Sequence, residues 1–239
     1  MSVGGFGLNG IVTNGLVLNL DAANRRSFVS GSTSWYDLSG GNNTGTLNGA
    51  TGGLPSYNSA NGGYISFDGT DDYVDCGTAS TSTIRGSSQF TVNYWFKKFS
   101  SGNDFLLGTL DNSANKGFYI QWFTDSNVYF GVYNGSRTYN ITNLPYTTNW
   151  YNFTFIFDGT LIGATNILKL YINGILQASS NSGGMPTAVP TDILSLNIGK
   201  LTNYASIGKG NLANLQLYNR ALTATEILQN YNTLKNRYQ

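Results

Sequence analysis

The 239-residue chain has no histidine, one cysteine (Cys76) and a single glutamate (Glu226). Lacking histidine, it has no Ser-His-Asp or Cys-His nucleophile system and is without the commonest protein metal ligand. One thiol allows no intrachain disulfide framework. Cys76 follows the apolar end of a strand-like run and is expected to be a small core residue. Charged residues make up only 10% of the chain, against roughly 25% in a typical soluble domain. The net charge is +1, and its clustered basic pairs are small (Arg25–Arg26 and Lys97–Lys98). No basic stripe is available to neutralise phosphates, so nucleic acid is not an expected partner. No stretch approaches the ~20 apolar residues of a membrane-spanning helix, and membrane insertion is not expected. The opening residues carry neither a basic n-region nor an uninterrupted apolar run and do not read as a signal peptide.

What the chain does have is aromatic residues (14%), β-branched residues and 30 glycines. Asn, Ser, Thr and Gly take the place of charge at the surface, while the aromatics can fill one sizeable core. Residues 1–15 are rich in Gly and Asn without periodicity and are expected to be a flexible N-terminal arm. Residues 16–239 show no break in composition and are read as one domain.

Within that domain, short runs alternate with period two. Phe90, Val92, Tyr94 and Phe96 share one face and Thr91, Asn93, Trp95 and Lys97 the other. Tyr151, Phe153, Phe155 and Phe157 alternate with Asn152, Thr154 and Ile156. Val128, Phe130 and Val132 alternate with Tyr129 and Tyr133, and Leu168, Leu170 and Ile172 with Lys169 and Tyr171. Asn173-Gly174 and Asn134-Gly135 are hairpin signals, because both residue types tolerate positive φ. Many strands with no intervening helical periods predict an all-β, two-sheet antiparallel sandwich. One short C-terminal helix is predicted. Thr223 and Glu226 form a capping box, Leu222 and Ile227 a hydrophobic staple, and Ile227, Leu228, Tyr231 and Leu234 an apolar stripe.

Five segments fall in an ordered series: GLVLNLDAAN near the start, YISFDGTDDYV at 64–74, FTVNYWFK at 90–97, LKLYINGILQ at 168–177, and the closing GNLANLQLYNRALTATEILQNYN. Together they resemble the laminin-G-like domains of the concanavalin A-like lectin/glucanase superfamily, over roughly residues 15–239. The resemblance implies a jelly roll of two curved antiparallel sheets. The opening segment, the following Trp35, Asp37, Leu38, Ser39 and Gly40, and the tail KNRY are similar to domains of bacteriophage structural proteins. That likeness implies a non-enzymatic virion-surface role in a capsid decoration, tail or fibre. The implied partners are other virion proteins, reached through the N-terminal arm, and a further copy of the chain.

Enzymatic relatives of this fold carry paired acids on one strand, in a motif of the E-x-D-x-E type. Here the lone Glu226 is committed to a helix cap, and no catalytic residue is expected. The densest acidic group, Asp68, Asp71, Asp72 and Asp75, offers oxygens of the kind Ca²⁺ takes. Its spacing is not that of an EF-hand. The favoured reading has Asp68 and Asp72 bonding the amides of their own loop, with no cofactor. Relatives carry an acidic pair in the last strand where this chain has Ala213 and Asn214, which argues the same way. Carbohydrate recognition, the alternative function, needs ring faces for sugars and amides for hydroxyl groups. The outward register supplies Asn93, Trp95, Tyr129, Tyr133 and Tyr171, with Tyr119 and Gln121 joining from a neighbouring strand. Three roles compete for these residues: a second small core under loops or the arm, a protein contact in a particle, and a sugar site.

Overall fold

The structure is a computed structural model that describes residues 10–98, 105–122, 127–135, 139–144, 148–182, 184, 186–192, 195–203 and 207–238. In chain order the strands are β1 (Leu16–Asp21), β2 (Ser34–Trp35), β3 (Gly45–Asn48), β4 (Ser56–Asn58), β5 (Tyr64–Asp68), β6 (Tyr73–Asp75), β7 (Gln89–Lys98), β8 (Phe105–Gly108) and β9 (Lys116–Trp122). They continue as β10 (Asn127–Asn134), β11 (Tyr139–Asn143), β12 (Tyr151–Asp158), β13 (Leu168–Ile172), β14 (Ile175–Leu176), β15 (Ser180–Ser182), β16 (Asn197–Ile198) and β17 (Lys209–Tyr218). A helical turn, α1 (Ala164–Ile167), precedes β13, and the helix α2 (Ala224–Leu234) follows β17.

Two antiparallel sheets form a sandwich. The eight-stranded sheet runs β14-β13-β12-β7-β17-β5-β4, with β1 also paired to β17. The nine-stranded sheet runs β15-β11-β10-β9-β8-β16-β6-β3-β2. β17 is long enough to take β5 along its first half and β1 along its second. The two-sheet antiparallel sandwich expected from alternation, in the jelly-roll form that the resemblance implies, is therefore the observed fold.

Apolar positions of the alternating strands meet between the sheets. Phe90 and Phe155 of the eight-stranded sheet lie against Phe118 and Phe130 of the other, with ring centroids 4.7 to 6.4 Å apart. Trp35 is fully buried in the same core, and so is Cys76, whose thiol is pushed up by burial. The Asn173-Gly174 turn has φ of 52° and 78°, as a two-residue hairpin requires. Asn134-Gly135 differs, since the Gly135 amide donates to the Asn115 carbonyl and closes the far end of the β9–β10 pair.

The helix begins as expected. Thr223 Oγ1 accepts from the Glu226 amide, and Glu226 accepts from the Thr223 amide. Leu222 and Ile227 share one cluster. The stripe is displaced, however. Leu228 is exposed, and the buried positions are Ile227, Asn230 and Leu234.

Residues 10–15, expected to belong to a flexible arm, lie against this helix. The Val12 amide donates to Asn230 Oδ1 (2.8 Å), and the Val12 carbonyl accepts from Tyr218 Oη (3.0 Å). Arg220 donates to the Asn14 carbonyl and Gln229 to that of Gly10. The rest of the expected arm, residues 1–9, lies outside the described residues.

Candidate functional site

The outward aromatic and amide positions do not form one surface. They divide between the two sheets, whose outer faces point in opposite directions.

Asn93, Trp95 and Tyr171 belong to the eight-stranded sheet, where α2 and the chain's last residues cover them. Trp95 is 2% exposed and stacks on Tyr231 and Tyr238, with centroids 5.7 and 4.4 Å away. Tyr171 is half-buried against the Ile227 cluster. Asn93 is fully buried in a polar ladder. It donates to Gln216 Oε1, while its own Oδ1 accepts from Asn152 (3.0 Å) and Thr154 Oγ1 (2.7 Å). Each amide here satisfies a neighbour, as burial demands. This half of the predicted surface is a second, partly polar core, and a ligand has no access to Asn93.

Tyr119, Gln121, Tyr129 and Tyr133 lie on the outer face of the nine-stranded sheet. Tyr133 Oη donates to Tyr119 Oη at 3.2 Å, and both rings pack with Leu110 and Leu201. Tyr129 and Tyr139 are half-buried and pack against this cluster. Gln121 is 5% exposed. Leu201 sits in a segment held across the sheet, where the Asn112 amide donates to the Thr202 carbonyl and Asn203 Nδ2 to Asp111 Oδ1 (2.9 Å).

The same segment forms one wall of a cavity of about 450 Å³. Tyr73 and Asp75 reach it from β6, Asn197 from β16, and Lys200, Thr202 and Asn203 from the segment itself. The Lys200 ammonium lies 3.9 Å from the centre of the Tyr73 ring. Asp75 Oδ1 accepts from the Gly77 amide (2.7 Å). The lining thus combines an aromatic ring, a carboxylate, amides, a hydroxyl and an ammonium group, which together can donate to and accept from a polyhydroxylated ligand. Tyr73 and Asp75 flank the buried Val74, so their outward direction is readable in the sequence. Their meeting with residues 197–203 depends on the β6–β16 pairing, which local alternation does not encode.

The four acidic residues considered together as a metal group separate. Asp68, Asp71 and Asp72 bring carboxylate oxygens within 4.8 Å of one another, whereas Asp75 is not among them and lines the cavity. Asp71 accepts from the amides of Thr51 (2.7 Å) and Ala50 (3.1 Å), and these bonds hold its carboxyl below the usual range. Asp72 accepts from the Asp68 amide (2.9 Å), and Asp68 from that of Thr70 (2.7 Å). Burial, helped by the charges of Asp68 and Asp71, pushes Asp72 up to about 6. Three oxygens at this spacing are a donor set a hard cation could use. Each of the three carboxylates also holds a backbone amide.

Glu226 is fully engaged. Arg220 grips both its oxygens (2.6 and 2.9 Å) and holds its pKa down to about 2. Among the described residues no helix is long and apolar enough to cross a membrane.

Residues 68–228 match the family Laminin_G_3, described as the concanavalin A-like lectin/glucanases superfamily, and the chain belongs to that family. No curated protein sequence matches it. Among solved structures it is similar to the receptor-binding domain of a botulinum neurotoxin C/D mosaic serotype (TM-score 0.66, 16% identity), with 92% of this chain covered and 52% of that one. It is also similar to domain 4 of AbnA, an extracellular arabinanase of Geobacillus stearothermophilus in complex with arabinotriose (TM-score 0.62, 20% identity, 90% and 98% covered). A third is Trypanosoma rangeli sialidase in complex with the inhibitor DANA (TM-score 0.63, 15% identity, 92% and 33% covered). The chain therefore spans about half of the toxin domain and a third of the sialidase. At these identities the likeness is one of fold.

Proposed function

We propose that the chain is a non-catalytic, lectin-like surface module that contacts carbohydrate through the Tyr73 cavity on the outer face of the nine-stranded sheet. The observation that carries this reading is the lining, where ring, carboxylate, amides and hydroxyl converge on one space of about 450 Å³. Sugars are held in this way, with an apolar ring face against an aromatic and hydroxyl groups on planar polar side chains. AbnA domain 4, whose length is matched almost entirely, gives the reading further support through its arabinotriose complex.

A non-catalytic role fits the acids. Glu226 is locked by Arg220, and the Asp68–Asp72 group is spent on amides of the chain's own loops. The reading requires no metal. Glycan-array screening that includes arabinotriose, followed by calorimetry, tests it. Tyr73→Ala should weaken the selected glycan about tenfold, the order expected for losing one aromatic contact. Its melting temperature should stay near that of the parent protein. Unchanged affinity in a folded Tyr73→Ala variant would remove sugar binding from this cavity.

The sequence resemblance to phage structural proteins supports a virion surface as the setting, with other particle proteins as partners. Exposed Ile175 and Leu176 at the β13–β14 hairpin favour such contacts. The turn before them also approaches exposed Leu228, since a Cβ added at Gly174 would stand 3.2 Å from Leu228 Cδ1. Deleting residues 1–9 tests the arm as the means of attachment. Under this reading the shortened protein fails to join particles and still binds glycan, and normal incorporation would reject the arm.

A further inference from the structure

A second cavity, of about 410 Å³, opens on the opposite side of the sandwich where the C-terminal residues cross the eight-stranded sheet. Its walls include Trp95, Trp150, Tyr231 and Tyr238, with Lys97 and Asn149 supplying polar groups. We infer that this cavity binds a carboxylated sugar, separately from the Tyr73 site.

Two observations lead there. The first is shape and surface. Trp95 stacks on both Tyr231 and Tyr238, and Trp150 leans on Tyr238 at 5.1 Å, so the aromatic wall is fixed before any ligand arrives. A preformed wall avoids the entropy of ordering side chains on binding. The second is charge. No carboxylate lies among the lining residues, while Lys97 makes no ion pair among the described residues. The Lys235 ammonium, 5.6 Å from the Tyr231 ring centre, adds a second cation nearby. The acid nearest the lining, Asp21 beside Tyr238, is paired with Arg237 (2.9 Å), and a cavity with cations and no unpaired acid selects an acidic ligand over a neutral one. Ring faces, amide groups and one unpaired ammonium fit the pyranose ring, hydroxyls and carboxylate of an acidic monosaccharide. The Tyr73 cavity, which contains Asp75, does not share this polarity.

Titration with N-acetylneuraminic acid, galacturonic acid and galactose, read by tryptophan emission, tests the inference. At least one acidic sugar should shift the emission saturably, and galactose should not. Lys97→Gln should weaken that binding about tenfold, as loss of a charge-assisted contact does, and Lys97→Arg should largely retain it. Tyr73→Ala should leave it unchanged. No saturation with either acid, equal binding of galactose, or an undiminished affinity in Lys97→Gln would overturn the proposal. Loss of acidic-sugar binding in Tyr73→Ala would move the ligand to the other face, overturning this site while sparing the first.

Discussion

At the scale of single residues, burial decides what each polar side chain does. Asn93 alternates with core phenylalanine and valine, and by that pattern it should meet solvent. It is instead the hub of a buried ladder with Gln216, Asn152 and Thr154. Replacing it with alanine leaves three partners short of a bond inside the protein. Asn93→Ala should therefore cost about 2 kcal/mol, within the usual penalty for a stranded buried polar group, when measured by urea unfolding. A loss near zero would mean the ladder re-pairs or is wet. Asp72 supplies a pH effect of defined sign. Its pKa in the folded protein, about 6, lies above the ordinary carboxylate value, so the folded state holds the proton more tightly. The stability gained is full below about pH 4, near the unfolded pKa, and is lost as pH rises through 6. Asp72→Asn keeps an acceptor for the Asp68 amide and removes the titration. As pH rises from 4 to 6 the parent protein should lose melting temperature that Asp72→Asn keeps, so the two profiles converge or cross, and parallel profiles would show that Asp72 does not carry the shift.

At the scale of elements, the chain's two ends explain one another. Asp21, in the LDAAN segment, receives both bonds from Arg237 of the KNRY tail (3.0 and 2.9 Å), and Tyr238 beside it caps Trp95. Helix α2 was legible because capping is a local code of three or four residues. Its buried stripe was less so, because Asn230 faces inward where an amphipathic reading puts polar residues outward. That position becomes intelligible only with residues 10–15 in place, whose amide at Val12 and neighbouring Tyr218 hydroxyl both use Asn230. Truncation has a corresponding signature. Removing residues 1–9 leaves these bonds intact and provides the reference. Removing residues 1–15 strands Asn230 and uncovers Ile227, and should cost about 2–4 kcal/mol from one unsatisfied buried group and one opened apolar contact. Equal melting of the two truncated proteins would show that segment 10–15 contributes nothing to the fold.

At the scale of the whole molecule, alternation reports which residues share a face of one strand, but not which sheet the strand joins. The core was therefore legible, because inward positions of both sheets end in one place: Phe90 and Phe155 meet Phe118 and Phe130 whichever sheet is considered first. The outward register was not, since Trp95 and Tyr119 obey the same period two and lie on opposite faces. What separates them is coverage. One outer face is roofed by α2, Ile11 and Tyr238, and the other by the segment around Leu201. Each roof leaves a cavity at its margin, and the two differ in charge, with Asp75 and Lys200 at one and Lys97 without an acid at the other. A jelly roll with so few charges has little long-range field with which to choose a partner. Under the proposed function, selectivity resides in these short-range linings, where one lysine or one carboxylate would change the class of sugar that fits.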